Sequence, residues 1–171
     1  IKRFDPQIVA FSTTTISHKT DCELAQLIKE TSKDIFIIMG GPHPTFYPQV
    51  IEDKGQLDAV CIGEGEYAIE ALVENFGDRE KRRSVNSLWV RDGGKVYQNE
   101  VGNLVGDLDE LPVFDYKLYF DKFPTLAKSP TKTFIAGRGC PFPCAYCFNR
   151  QYMGIYKGKG SYVRHKSPDK L

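Results

Sequence analysis

Three short apolar runs that alternate with helical segments constrain the fold of the first part of this chain. The runs span Gln7–Ser12, Asp34–Met39 and Asp58–Ile62, and their length and β-branched content predict buried strands. The intervening patterns predict helices over Thr20–Ser32, with Thr and Glu in capping-box positions, and over Tyr67–Phe76. Strands and helices that alternate in this way form an α/β fold, and we predict a doubly wound parallel sheet.

A polar loop follows each predicted strand. The loops are Ser12–Thr15, Gly40–Tyr47 and Gly63–Glu66, and each is rich in glycine or hydroxyl residues. Ligands of parallel α/β sheets bind beyond the carboxyl ends of the strands, and glycine lets the backbone approach a ligand closely. The pattern therefore predicts a nucleotide-type or cofactor-type domain, without identifying the ligand.

A cysteine-rich stretch lies near the end of the chain. Its thiols belong to Cys140, Cys144 and Cys147, with the spacing Cys-x3-Cys-x2-Cys. An apolar segment, Thr131–Ala136, leads into it and is predicted as a strand. Three thiolates suit a soft metal or an iron–sulfur cluster, and a cluster with three protein ligands leaves one iron open. A zinc site with a further ligand such as His165 is the alternative that the spacing leaves open.

This stretch resembles the cluster-binding loop of the radical S-adenosylmethionine enzymes, which usually carry an aromatic residue before the third cysteine, as Tyr146 does here. The resemblance implies that the three cysteines hold a [4Fe–4S] cluster whose open iron binds S-adenosylmethionine, with Tyr146 beside that cofactor. It also implies that Thr131–Ala136 begins a (β/α) barrel. A complete barrel needs about 250 residues, so the chain holds only the first strand and cluster loop of a truncated barrel.

The three earlier loops resemble those of the Rossmann-like cobalamin-binding domain that precedes many radical S-adenosylmethionine barrels. The resemblance rests on a strand ending in serine, then Gly-Gly-Pro-His-Pro-Thr, then Gly-Glu-Gly-Glu. It implies that Ser12, Gly40 and Gly41 line the slot for the nucleotide tail of cobalamin. Their neighbours are implicated less directly: Thr13, His43, Gly63, Glu64 and Gly65. The Asp-x-His-x-x-Gly motif of many cobalamin domains is missing from this chain, so the lower axial cobalt ligand stays open.

The residues alone leave two other interpretations open in these loops. His43 lies between two prolines and could shape the loop, ligate a metal or act as an acid–base group, and the first is favoured. Glu64 and Glu66 could form a catalytic carboxylate pair, although a structural role is favoured because Glu66 begins a helix, where negative charge is stabilising. His18, just before a helix, is interpreted as a solvated surface residue.

We divide the chain into three predicted segments. Residues 1–78 form the cobalamin-binding-like domain, without its first βα unit. Residues 79–130 contain a hairpin with a turn at Asp92–Gly94, followed by an aromatic linker. Residues 131–171 start the radical S-adenosylmethionine domain. Because the chain begins at Ile1, we expect it to be a piece of a longer protein.

Composition limits the possible partners and location. Hydrophobic residues make up 41% and charged residues 26%, which is ordinary for a soluble globular protein. The net charge of +1 argues against nucleic acid as a partner, and the longest apolar run, Ile35–Met39, is too short to span a bilayer. Clustered rather than paired cysteines indicate a reducing compartment, so we expect a cytoplasmic protein.

The two resemblances together imply a radical S-adenosylmethionine enzyme with a [4Fe–4S] cluster and cobalamin. Methyl transfer, or radical cyclisation or rearrangement, of a small-molecule substrate is then expected, with a flavodoxin or ferredoxin as electron donor and an inactive isolated fragment. Three alternatives stay open. They are a radical enzyme whose first domain does not bind cobalamin, a non-enzymatic zinc-stabilised binding module, and a flavin or nucleotide domain. The last is disfavoured because no Gly-x-Gly-x-x-Gly follows a strand.

Overall fold

The computed structural model describes residue 1 and residues 3–170. The chain divides into two compact units, Ile1–Gly102 and Asn103–Leu171. Unit 1 contains a five-stranded sheet with the strand order β1-β2-β3-β4-β5. The strands are β1 (Ile8–Ser12), β2 (Phe36–Gly40), β3 (Ala59–Cys61), β4 (Leu88–Asp92) and β5 (Lys95–Gln98). The first three strands pair in parallel, and the last two join them antiparallel. The α/β class with a mainly parallel sheet is therefore confirmed.

Helices cover both faces of this sheet. They are α1 (His18–Thr31), α2 (Pro42–Phe46), α3 (Val50–Asp53), α4 (Glu66–Glu74) and α5 (Arg79–Arg82). Successive side chains of a strand point to opposite faces. Ile37 and Met39 accordingly pack in a core with residues of α1 and α3, while Phe36 and Ile38 pack in a second core with residues of α4. This burial on both faces explains why the β2 segment is a continuous apolar run.

Three local predictions are corrected by unit 1. Helix α1 begins at His18, ahead of the predicted capping box, and the Ser17 hydroxyl donates to the Asp21 carboxylate (2.9 Å) within its first turn. The predicted loop Gly40–Tyr47 contains helix α2, because Pro42 at its first position is preorganised for a helix. The hairpin β4–β5 is part of the sheet rather than of a linker, because it carries the apolar, fully buried Leu88 and Val90.

Unit 2 consists of short elements. It contains helices α6 (Lys117–Phe120), α7 (Pro124–Lys128) and α8 (Asn149–Ile155), strands β6 (Gly137–Arg138) and β7 (Arg164–His165), and 3-10 turns at Leu108–Glu110 and Pro168–Lys170. Strands β6 and β7 pair antiparallel. The strand predicted over Thr131–Ala136 is irregular, and strand structure starts at Gly137 because the β7 segment pairs there.

Among the residues that the structure describes, no helix is both long enough and apolar enough to cross a membrane.

Candidate functional site

Backbone hydrogen bonds join the loops that follow β1 and β2. The Thr13 amide donates to the Gly40 carbonyl (2.8 Å), and the His43 amide donates to the Thr13 carbonyl (3.0 Å). Ser12 and Gly40 are opposite one another in the parallel register, so the sheet places the two loops side by side at its carboxyl edge. The structure thus brings Ser12 and Thr13 next to Gly40 and His43, although the two pairs are far apart along the chain.

Gly41 makes this close approach possible. Its φ of +94° is in the region that side chains rarely adopt. A Cβ atom at this position would lie 2.8 Å from the Thr13 nitrogen and 2.9 Å from the Thr13 oxygen. Because both are backbone atoms, any larger residue would push the two loops apart.

Thr45 connects the loop after β3 to the loop after β2, and sequence reasoning missed it. The side chain is buried, its hydroxyl donates to the Gly41 carbonyl (2.8 Å), and it accepts from the Gly63 amide (3.0 Å). A threonine in the first turns of a helix often bonds the carbonyl four residues earlier, and that spacing from Gly41 was the available signal. Gly63 itself has a φ of +83°, and Gly65 precedes helix α4.

Two buried polar atoms at this edge find no hydrogen-bond partner among the described residues. They are the Thr13 hydroxyl oxygen, on a fully buried residue, and Nε2 of His43, on a residue that is 9% exposed. A buried polar group left unsatisfied costs about 1–3 kcal/mol. Such groups at a strand edge that also presents glycine backbone fit a ligand that is rich in hydrogen-bonding groups and approaches closely.

The ring of His43 stacks on one neighbouring ring and contacts a second that is tilted against it. Its ring lies 4.4 Å from that of His18 at an angle of 22°, and 5.8 Å from that of Tyr47. Thr15 contacts both histidines, through its carbonyl at 2.8 Å from His18 Nδ1 and its hydroxyl at 3.4 Å from His43 Nδ1. Burial, and next the positive charge that His18 can carry, lower the pKa of His43, so the imidazole is favoured in its neutral form. His18 is thus half-buried against this loop, which corrects its interpretation as a solvated residue.

Cys61 is the last residue of β3, just before the third loop. Burial, with a smaller contribution from Glu66, raises the pKa of its thiol to about 12. The thiol therefore stays protonated and serves packing, since metal binding and nucleophilic attack require the thiolate.

In unit 2, the cysteine stretch folds as an irregular loop between β6 and α8. Cys140, Cys144 and Cys147 are free, half-buried thiols, and the Cys147 amide donates to the Cys144 carbonyl (3.1 Å), which closes a turn between them. Tyr146 is 93% exposed. Three soft thiol donors on one loop fit an iron–sulfur cluster by their chemistry. In residue 1 and residues 3–170, no three His, Cys, Asp or Glu side chains gather closely enough to hold a metal ion, so cluster ligation stays a prediction.

The family comparison addresses unit 1. Residues 1–73 match the family model of the B12 binding domain. These residues are therefore similar to a B12-binding domain. The match includes all three linked loops, from Ser12 to Gly65, and the cysteine loop lies outside it.

Relatives that match both this segment and the one that follows it agree with the similarity. An uncharacterized methyltransferase of Pyrococcus horikoshii is 32% identical over 156 residues, which are 90% of this chain and 34% of that protein. An anaerobic magnesium-protoporphyrin IX monomethyl ester cyclase of Cereibacter sphaeroides is 27% identical over 168 residues, 92% of this chain and 26% of that protein.

A solved structure extends the agreement to the fold. OxsB, a cobalamin-dependent S-adenosylmethionine radical enzyme with aqua-cobalamin and S-adenosylmethionine bound, matches with a TM-score of 0.66 at 27% identity, over 85% of this chain and 20% of that one. The predicted resemblance to cobalamin-binding radical S-adenosylmethionine enzymes is thereby confirmed. The chain spans about a third or less of the length of these three proteins.

Proposed function

We propose that this protein binds cobalamin through its B12-binding domain and a [4Fe–4S] cluster through Cys140, Cys144 and Cys147. With S-adenosylmethionine it would catalyse a radical methyl transfer or cyclisation on a small molecule, with a reduced flavodoxin or ferredoxin as electron donor. The observation that carries the proposal is the linked set of loops at the carboxyl edge of the sheet, with two unsatisfied polar atoms, inside a matched B12-binding domain. The Cys-x3-Cys-x2-Cys loop in the same chain supports the radical part.

The residues of the B12-binding domain have distinct roles in this proposal. Gly41 lets the loops after β1 and β2 pack together, and Ser12 and Gly40 line the same slot. The Thr13 hydroxyl and His43 Nε2 hydrogen-bond to polar groups of the ligand, which relieves their cost of burial. Glu64 and the glycines beside it close the slot from the β3 side.

The cysteines of unit 2 act as thiolate ligands, and Tyr146 would contact S-adenosylmethionine. When bound, the cluster supplies the electron that cleaves S-adenosylmethionine, and cobalamin supplies methyl-group or radical chemistry. The protein's contribution is to hold these groups and to exclude water from them.

Equilibrium dialysis of the full-length protein against hydroxocobalamin tests the proposed cobalamin binding. We expect saturable binding of one cobalamin, weakened about tenfold or more by Gly41→Ala, because the added Cβ separates the two loops. Gly55→Ala is the matched control, since nothing lies within 4 Å of a Cβ at that position. Circular dichroism establishes that both variants are folded. A wild-type protein that does not bind hydroxocobalamin would leave the radical enzyme with a purely structural first domain.

Anaerobic reconstitution with iron and sulfide tests the proposed binding of a [4Fe–4S] cluster. The full-length protein should gain about four irons and broad visible absorbance from the cluster. Cys144→Ala should lose this absorbance, while Cys22→Ala, which removes a buried thiol of unit 1, should keep it. One bound zinc without iron or labile sulfide would instead favour the zinc-stabilised module.

A further inference from the structure

The residues that follow the cysteine loop bond back to one of its thiols. The Asn149 side-chain amide donates to the sulfur of Cys147 over 3.5 Å. The hydroxyl of Tyr162 in turn donates to the Oδ1 atom of Asn149 over 3.0 Å. A chain of two hydrogen bonds thus runs from Tyr162 to Cys147.

The backbone around Tyr162 is fixed on the cysteine-loop side. The α-carbon of Gly139 (φ +84°) packs directly against the Tyr162 carbonyl, and a Cβ on Gly139 would overlap that oxygen. Two residues farther on, Arg164 pairs with Arg138 across the β6–β7 ladder. Tyr162 is therefore held against the segment that leads into the cysteine loop.

The other side of this segment is anchored as well. The buried guanidinium of Arg164 donates to the Val105 carbonyl (2.6 Å), and the Lys166 amide donates to the Ala136 carbonyl (2.7 Å). With its backbone held by these contacts, Tyr162 presents its hydroxyl to Asn149 from a defined position.

The hydrogen bond from Tyr162 sets which end of the Asn149 side-chain amide faces the sulfur of Cys147. A hydroxyl that donates to Oδ1 leaves the NH2 group of Asn149 to point at Cys147. An amide in the reverse orientation would turn its oxygen toward the sulfur, where two acceptors repel. Without the Tyr162 hydroxyl, this choice between the two orientations is lost.

An N–H donor at a ligating sulfur has a known physical effect. It stabilises negative charge on the sulfur and raises the reduction potential of the cluster that the sulfur binds. We propose that Asn149 and Tyr162 are positioning residues that orient Cys147 and raise the reduction potential of the cluster. The inference rests on the proposed function, since it requires Cys147 to be a cluster ligand.

The test is a redox titration of the reconstituted full-length protein, followed by electron paramagnetic resonance. Tyr162→Phe, which removes only the hydroxyl, and Asn149→Leu should both shift the midpoint potential to more negative values at unchanged iron content. Tyr119→Phe, at an exposed tyrosine on α6 of the same unit, is the control and should leave the potential at the wild-type value. The double variant should shift no further than Asn149→Leu alone, because the tyrosine acts through the asparagine.

The possible results of this titration distinguish a failure of the inference from a failure of the proposed function. A wild-type protein that takes up no iron overturns the proposed function and the inference together. Iron-loaded Tyr162→Phe and Asn149→Leu proteins with the wild-type potential overturn the inference alone. Loss of iron from a folded Tyr162→Phe protein, with iron retained in Tyr119→Phe, also overturns the inference, because the hydroxyl then holds the loop rather than sets the potential.

Discussion

His43 shows, at the scale of single residues, how tertiary packing sets the state of a side chain. In the sequence it is a histidine between prolines, for which several roles are open. In the structure its ring packs against those of His18 and Tyr47, with Nε2 buried and unsatisfied among the described residues. Such a ring favours the neutral imidazole, because charging it would require an unsolvated cation beside another histidine.

This packing predicts that unit 1 loses stability as the pH falls. The pKa of His43 is lowered in the folded state, so below the ordinary value of about 6.5 the unfolded chain binds more protons than the folded one. The free energy of unfolding should therefore decrease from pH 7.5 to pH 5.5. Urea titrations followed by the fluorescence of Trp89, the only tryptophan of the chain, measure this in unit 1.

The histidine itself is tested by substitution. His43→Gln should flatten the decrease, because the variant has no proton to gain at this site. His165→Gln, an exposed histidine of unit 2, should keep the wild-type slope. Equal slopes in wild-type protein and His43→Gln would contradict the assignment of the pH effect to His43.

At the scale of secondary-structure elements, Asp58 connects three of them just ahead of β3. Its carboxylate accepts from the Ile37 amide of β2 (2.7 Å) and pairs with the Lys29 ammonium of α1 (2.6 Å). Its carbonyl accepts from the Arg91 amide of β4 (2.7 Å). One residue thus ties the parallel strands to a covering helix and to the antiparallel hairpin.

Asp58→Ala should lower the free energy of unfolding of unit 1 by about 1–3 kcal/mol. The reason is that the buried Ile37 amide would lose its acceptor, which costs more than the partly exposed ion pair contributes. Urea unfolding measures the change. The control is Asp34→Ala, an exposed aspartate, for which a change within about 0.5 kcal/mol is expected. Similar values for the two variants would show that the Asp58 carboxylate does not hold these elements together.

At the scale of the whole molecule, the chain has two units, and the proposed cobalamin ligand belongs to the first. A ligand at 100 times its Kd stabilises a folded unit by about 2.7 kcal/mol. Amides of Ile37, Ile38 and Met39, all at most 1% exposed, should exchange only when unit 1 unfolds. Hydroxocobalamin should therefore slow their hydrogen exchange about 100-fold in the full-length protein, as measured by mass spectrometry. Unchanged exchange under saturating hydroxocobalamin would contradict binding at this site.

Prediction from sequence succeeded where burial imposes a pattern. The fully buried β2 had to be a continuous apolar run, and the strand-loop alternation located Ser12, Gly40 and Gly41 at one edge of the sheet. Prediction from sequence failed where the structure of a segment depends on a partner that is distant along the chain. The apolar Leu88 and Val90 show that the hairpin has a buried face, but nothing in its sequence identifies β3 as the strand that it pairs with. The bond from the Gly63 amide to Thr45 joins residues that are far apart along the chain, so no local pattern predicts it.

The sequence by itself determined the α/β class, the three loops of the segment that matches the B12 binding domain, and the spacing of Cys140, Cys144 and Cys147. These features are local, because they follow from the period of the apolar residues and from short motifs. Tertiary structure alone decided which polar atoms are unsatisfied, that Gly41 must lack a Cβ, and that Tyr162 reaches Cys147 through Asn149. Each of these depends on contacts between residues that are distant along the chain, and only the folded backbone brings such residues within hydrogen-bonding distance.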